Sequence, residues 1–274
     1  MRLIGLTNLR YELDSLKELP HILFLGPRGT GKTTLSEYVA TSHNRKLILT
    51  VGKTLKAQDL LNILININEN DVLLIDEIHR LNPGTEELLY HPMEKFQLPI
   101  KNLYGSFQTF PLPKFCLIGT TTKPSLLSKP LISRFQLQMD IPHYNVRELA
   151  RIIQSNYNFL SQREALSIAV NTITPREAVN LASRITNFGN KNISEVLEFI
   201  GYKYGLSQSE RYYLKIVHEV NTISLTSLGN ALQIDKDEVS FIEDKLIRKG
   251  YIDITTKGRQ LTIKGILKIK QLKQ

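Results

Sequence analysis

The apolar and polar positions fall into two regimes that change near residue 142. In the first, short apolar runs at 22–25, 47–51, 72–75 and 115–118, and an alternating strand pattern at 136–140, are interleaved with helical patterns. Uninterrupted apolar runs of this length suit strands covered on both faces. Leu6, Leu9, Leu13 and Leu16 recur at three- and four-residue spacing, predicting a helix that Pro20 ends. Residues 32–40, 57–65 and 84–96 also read as helices. The alternation predicts an α/β domain with a parallel sheet flanked by helices. Residues 98–113 differ: apolar residues around a turn at Tyr104-Gly105 predict a β-hairpin carrying Phe107, Phe110 and Leu112. Such a hairpin is either a partner surface or a flap folded onto its own domain.

Past Pro142 the pattern is helical. Ser161–Glu164, Thr174–Glu177 and Ser207–Glu210 have the spacing of helix-starting capping boxes. Pro175 suits a first helical position, and Gly189 and Gly250 suit helix ends. From 207 onward three helices precede two short strands, 251–255 and 260–263, joined by a turn at Thr256-Lys257-Gly258. That order is a winged helix-turn-helix pattern. Three domains are expected: 1–142 nucleotide-binding, 143–205 a helical lid and 206–274 a winged helix, with the last boundary at Gly205-Leu206.

Composition changes this picture in two places. A single cysteine, Cys116, excludes an intramolecular disulfide, and it sits in an apolar run as a core thiol would. With no spanning-length apolar run and no signal sequence, no membrane association and a cytoplasmic location are expected. The net charge is +9, yet residues 245–274 hold nine Lys or Arg against one acid, Asp253. That end is either a polyanion-binding surface, nucleic acid first, or a solvated basic tail.

The candidate chemistry centres on Gly26-x-x-x-x-Gly31-Lys32-Thr33, placed between an apolar strand and a helix. Gly26, Gly29 and Gly31 let the backbone turn its N–H groups toward one point, with Thr30 and Thr34 in the same cradle. The helix that follows adds positive potential at its start. Lys32 reaches the outer phosphates of a nucleotide and Thr33 ligates Mg²⁺. A second apolar run ends in Asp76-Glu77. There Asp76 suits metal positioning and Glu77 suits activation of the attacking water. The run 115–118 ends in Thr120-Thr121-Thr122, whose hydroxyls can sense a γ-phosphate or orient water. Arg134 follows a short helix at a domain edge; spacing alone leaves it as either a trans-acting group or a solvated arginine. Arg176 lies in the first turn of its helix, where a cation opposes the macrodipole and an anion would relieve it.

Together these motifs resemble the RuvB family, hexameric AAA+ motors that drive Holliday-junction branch migration. The resemblance spans nearly the whole chain. It is carried by Asp71-Val-Leu-Leu-Ile-Asp-Glu-Ile-His-Arg-Leu81, Glu86-Glu-Leu-Leu-Tyr90, Pro92-Met-Glu94-Lys-Phe96, Leu117-Ile-Gly-Thr-Thr-Thr122 and Pro130-Leu-Ile-Ser-Arg-Phe135. It implies ATP and Mg²⁺ as ligands and Thr121 or Thr122 as the first sensor. It implies that Arg134 is an arginine finger for the neighbouring subunit and Arg176 a second sensor on the lid. Tyr144 would lie beside the nucleotide, and Glu94, Lys95 and Phe96 would belong to the nucleotide site. The resemblance also implies that hairpin 98–113 docks on a RuvA-like partner, and that Arg259, with Lys257, contacts duplex DNA or a four-way junction from the wing.

The sequence also departs from the family. It opens at Leu3-Ile4-Gly5, where the family has an upstream Arg-Pro segment touching adenine. The hairpin is shorter, and Ile254 stands where the family often has a DNA-binding arginine. A reduced or divergent member is expected. Two rival readings keep the nucleotide loop: a clamp-loader or helicase-loader subunit, and a DNA-binding regulator switched by ATP. The winged-helix ending and His79-Arg80-Leu81 speak against the first, and Glu77 with Arg134 against the second.

Overall fold

The computed structural model describes residues 3–101, 107–189 and 192–272. The chain divides into two compact units, Met1–Tyr144 and Asn145–Gln274. The turn expected at Tyr104-Gly105 lies outside the described residues.

In the first unit the apolar runs become the strands β1 (Ile22–Leu25), β2 (Leu47–Val51), β3 (Val72–Asp76), β6 (Cys116–Thr121) and β7 (Leu137–Asp140). All are parallel, in the order β2-β3-β6-β1-β7. The central strands are buried on both faces, which is why they read as unbroken apolar runs. Helices α1 (Thr7–Asp14), α2 (Lys32–Ser42), α3 (Ala57–Ile65) and α6 (Lys129–Ile132) connect them or flank them. Residues 84–96, expected as one helix, form two: α4 (Pro83–Glu87) and α5 (Tyr90–Lys95). Pro92 falls in the first turn of α5, where a missing N–H costs no helical bond. Strands β4 (Gln97–Lys101) and β5 (Phe107–Pro111) pair antiparallel as the expected hairpin. Leu98 and Leu112 are buried in the domain core, whereas Ile100 and Phe110 are exposed. The hairpin is thus rooted in its own domain and presents exposed apolar side chains, Phe110 opposite Leu98 and Ile100 further out.

His21, just before β1, ties that root to the sheet. Its Nδ1 accepts from the Leu117 N–H at 2.8 Å and its Nε2 faces the Met93 carbonyl at 3.1 Å, so Nε2 carries the proton. Phe96 and Phe115 pack against the ring.

The second unit has four helices, α7 (Val146–Asn156), α8 (Gln162–Ala169), α9 (Pro175–Thr186) and α10 (Ile193–Phe199). Three more follow, α11 (Gln208–Val220), α12 (Leu225–Leu232) and α13 (Lys236–Arg248), then the wing β8 (Ile252–Thr255) and β9 (Gly258–Leu261), and a final helix α14 (Ile263–Leu272). Ser161 and Ser207 form full capping boxes. Thr174 caps α9 through the Glu177 N–H, while the Glu177 carboxylate accepts from Ile173 N–H instead of closing the box. Helix α14 is absent from the sequence reading. Its outer face exposes Ile263 and Leu267, and it meets the core through Ile269, Leu272 and a close approach of Gly265 to Tyr251.

Ion pairs lock this unit together. Lys245 of α13, buried, pairs with Glu177 of α9. Burial pushes the Lys245 ammonium pKa down, but Glu177 and Glu210 more than offset this and leave it raised. Lys249 pairs with the fully buried Glu210 at 2.9 Å and also donates to the Gly205 carbonyl. The junction expected at Gly205-Leu206 is therefore held by side chains from α11 and α13.

Burial depresses the His21 pKa from 6.5 to about 4, so the fold prefers the neutral ring. Its stabilisation is complete above pH 6.5 and declines as pH falls toward 4, by about 3 kcal/mol in total. Denaturant melts across that range measure it, and His21→Gln should lack the slope. Removing one partner of the Glu177–Lys245 pair, as in Lys245→Met, should cost about 3–5 kcal/mol. The double variant Glu177→Leu/Lys245→Met should recover much of that loss in the same melts.

Candidate functional site

The sheet order brings three strand ends together. β6 lies between β1, which leads into the glycine loop, and β3, which ends in Asp76. In register, Leu25 stands beside Thr121 and Ile75 beside Gly119. The loop, the threonines and the acids therefore share the carboxyl edge of one sheet, where open α/β sheets bind ligands.

The loop is drawn closed around Lys32, whose Nζ donates to the carbonyls of Gly26 and Pro27 at 2.8 Å each. Thr30 Oγ donates to the Pro27 carbonyl at 2.9 Å. Gly31, the N-cap of α2, has φ 89°, and a Cβ there would stand 3.3 Å from the Tyr144 hydroxyl. Tyr144 is thereby placed against the loop. Thr34 lies half-buried in the first turn of α2.

Thr33 Oγ donates to Asp76 Oδ1 at 3.4 Å. Two hard oxygens meeting at the mouth of a phosphate loop fit Mg²⁺, which takes one or two protein oxygens and fills its octahedron with phosphate and water. Among the described residues no group of three or more His, Cys, Asp or Glu forms a metal cage.

Each threonine at the end of β6 has its own task. Thr120 Oγ donates to Asp76 Oδ1 and accepts from the Glu77 N–H. Thr122 Oγ donates to Glu77 Oε2 at 3.0 Å. Thr121 Oγ instead lies 2.9 Å from His79 Nδ1 and accepts from the Lys123 N–H. The resemblance leaves Thr121 and Thr122 open as first sensor. Direct contact with the Glu77 carboxylate belongs to Thr122, and Thr121 reaches it only through His79.

Glu77 itself has φ 51°, a left-handed conformation that a non-glycine residue holds only when its surroundings impose it. Gly52 is one of those surroundings. Its N–H donates to the Asp76 carbonyl at 2.8 Å, and a Cβ on it would fall 2.5 Å from the Glu77 oxygen. Nothing in the local sequence marks Gly52 for this; the signal is its position directly after β2.

Arg134 lies just before β7, at the opposite edge of the sheet from the loop. Ile22 pairs with Leu137, and Gly26 follows β1, so about 13 Å of strand separates the two edges. The guanidinium stacks on the Tyr90 ring at 4.3 Å, pairs with Glu94 at 3.0 Å and donates to the Pro130 carbonyl at 2.6 Å. Its side chain is 17% exposed and that of Glu94 48%. It is braced on its own chain, at the end of the sheet away from the phosphate loop.

Three expectations need correction. Glu94 pairs with Arg134, and Phe96 packs on His21 and Phe115 at the amino end of β1, so both stand away from the loop at its carboxyl end. Lys95 is exposed on the same short helix. None of the three belongs to this chain's own nucleotide pocket. Arg259, expected to face DNA, is spent internally: its Nε and a terminal nitrogen donate to Glu243 at 2.7 and 3.2 Å. Tyr213 donates to the same carboxylate at 2.7 Å. This hydrogen-bonded pair, with the Arg259 pKa raised chiefly by Glu243, clamps the wing to α11 and α13. Lys257 remains exposed at the wing turn. The basic surplus of 245–274 is likewise reduced, because Lys245, Arg248, Lys249 and Arg259 all have acidic partners. Arg176 is exposed in the first turn of α9, next to the locked Glu177.

Comparison with known proteins agrees across the chain. Residues 11–141 match the family described as Holliday junction DNA helicase RuvB P-loop domain, and residues 203–270 the RuvB C-terminal winged helix domain. The Holliday junction branch migration complex subunit RuvB of Campylobacter lari is 38% identical over 92% of this chain and 82% of its own length. Its counterpart in Orientia tsutsugamushi (strain Ikeda) is 36% identical over 91% of this chain and 84% of its own. The solved Thermotoga maritima RuvB Holliday junction branch migration motor superposes with a TM-score of 0.78, at 31% identity, over 97% of this chain and 95% of that one.

Gly52→Ala should push the Glu77 carbonyl away and lower ATP turnover at least about tenfold, since small misplacements of a reacting group are that costly. Nucleotide affinity should stay near that of the parent, while the melting temperature falls, because the clash is with backbone. Steady-state hydrolysis beside nucleotide titration checks it.

Proposed function

The chain belongs to the RuvB family, and from that premise we propose an ATP-hydrolysing motor for Holliday-junction branch migration whose catalytic site is completed between two copies of the chain. Lys32 and the start of α2 hold the triphosphate, and Tyr144 borders the nucleotide. Thr33 and Asp76 hold Mg²⁺, which when bound neutralises charge on the phosphates. Glu77 accepts a proton from the attacking water, and Thr122 holds that carboxylate and reports on the γ-phosphate. Arg134 of a neighbouring copy stabilises charge on the transferring phosphoryl group. Arg176 answers nucleotide state from α9, and the α9–α13 ion pair carries its movement to the winged helix. Lys257 grips DNA phosphate, a contact that orients the protein without reading sequence and weakens with salt. The assembly is a ring, a hexamer, and the hairpin with exposed Ile100 and Phe110 meets a RuvA-like partner.

The observation that supports a shared site is the separation of Arg134 from the phosphate loop within one sheet. In the proposed motor a group that acts in phosphoryl transfer from that far edge acts on another copy.

The test is hydrolysis and junction processing together. Specific ATP turnover should rise steeply with protein concentration, and Arg134→Ala should lower it by on the order of 10³. Branch migration of a synthetic four-way junction should stop in Glu77→Gln. Undiminished turnover in dilute protein, or in Arg134→Ala, contradicts a shared site.

A further inference from the structure

His79 stands beside the catalytic carboxylate without a role in the mechanism above. Its ring is buried, with 3% of the side chain exposed, and Nδ1 lies 3.2 Å from Glu77 Oε2 and 2.9 Å from Thr121 Oγ. Thr121 is fixed in turn by the Lys123 N–H at 3.0 Å. A carboxylate oxygen that close selects the tautomer with the proton on Nδ1, because a lone pair there would face a negative oxygen. The Nδ1 hydrogen then lies between Glu77 and the threonine. Thr122 reaches the same Oε2 at 3.0 Å from the other side. Two donors on Oε2 fix the plane of the carboxylate and leave Oε1 to meet the water. They hold a side chain whose backbone is already in a left-handed conformation, with φ 51°.

We propose that His79 is a positioning residue for Glu77: its Nδ1–H, shared with Thr121, sets the orientation in which the carboxylate takes the water's proton. The ring does not itself receive that proton. It stays neutral near pH 7, because burial lowers its pKa, and although Glu77 opposes the shift, Arg80, Lys123 and Arg28 add to it. A neutral donor orients Glu77 without withdrawing as much of its basicity as a cation would. It also joins the hydroxyl at the end of β6 to the general base, so a displacement of Thr121 is transmitted to Glu77. The inference rests on the general-base reading of Glu77 proposed above.

The test compares His79→Asn, His79→Gln and His79→Leu in the full-length protein, with Glu77→Gln as control. Asn places its amide nitrogen near Nδ1; Gln places it nearer Nε2. ATP turnover under single-turnover and steady-state conditions, nucleotide affinity and melting temperature are measured for each. His79→Asn should keep kcat within about threefold, and His79→Leu and His79→Gln should lose about ten- to a hundredfold, with nucleotide affinity unchanged. Parent-like turnover in His79→Leu overturns the proposal. Equal turnover in the Asn and Gln variants also overturns it, and that comparison stands even if the Leu variant does not fold. Undiminished hydrolysis in Glu77→Gln would instead remove the general-base reading itself and is distinguishable from either result.

Discussion

The placement of β6 between β1 and β3 governs the rest of the molecule. Parallel pairing fixes which end of each strand faces the nucleotide, and the register fixes the order of groups along that edge. Gly26 donates its N–H to the Thr121 carbonyl, Thr120 binds Asp76, and Thr122 binds Glu77. The phosphate loop and the acids are thus joined through β6, by one backbone carbonyl toward the loop and two hydroxyls toward the acids. Parallel pairing also sends residues that precede a strand to the opposite edge. Arg134 precedes β7, so the order that gathers the loop, threonines and acids at one edge puts this proposed finger at the other.

Strain and burial concentrate at that junction. Glu77 holds a left-handed backbone because Gly52 admits its carbonyl, and its side chain is gripped by Thr122 and His79. Away from the sheet the polar chemistry serves a mechanical purpose. Glu177, adjacent to the candidate nucleotide-sensing Arg176, is tied to Lys245 of the winged-helix segment, while Glu210 and Lys249 hold the intervening turn. Breaking one half of such a pair strands a buried charge, so it resists separation even where it adds little net stability. The helical segment and the winged helix consequently share one compact unit.

Much of this was legible in the chain because the informative features are local. The strands β1, β2 and β3 show as unbroken apolar runs, and the glycine loop and Asp76-Glu77 are contiguous motifs. What could not be read was long-range pairing. Arg259 and Lys245 look like DNA-facing cations in sequence because Glu243 and Glu177 reach them only through the fold. Phe96 travels with Glu94 in a motif that reads as one unit, yet the left-handed turn at Phe96 aims its ring into the core around His21. His79 was visible only as part of a string; its task depends on an oxygen contributed by β6. Helix α14 was overlooked because exposed Ile263 and Leu267 blur the apolar stripe that normally reveals a helix.

The most direct measurement of the shared site is complementation between two inactive chains. Lys32→Ala removes the phosphate grip but keeps Arg134; Arg134→Ala does the reverse. If each site joins two copies, mixing the variants equally should restore about a quarter of the parent's ATP turnover, the share of random interfaces pairing an intact loop with an intact finger. Turnover that stays at the level of the separate variants, in mixtures verified to co-assemble, would contradict the account.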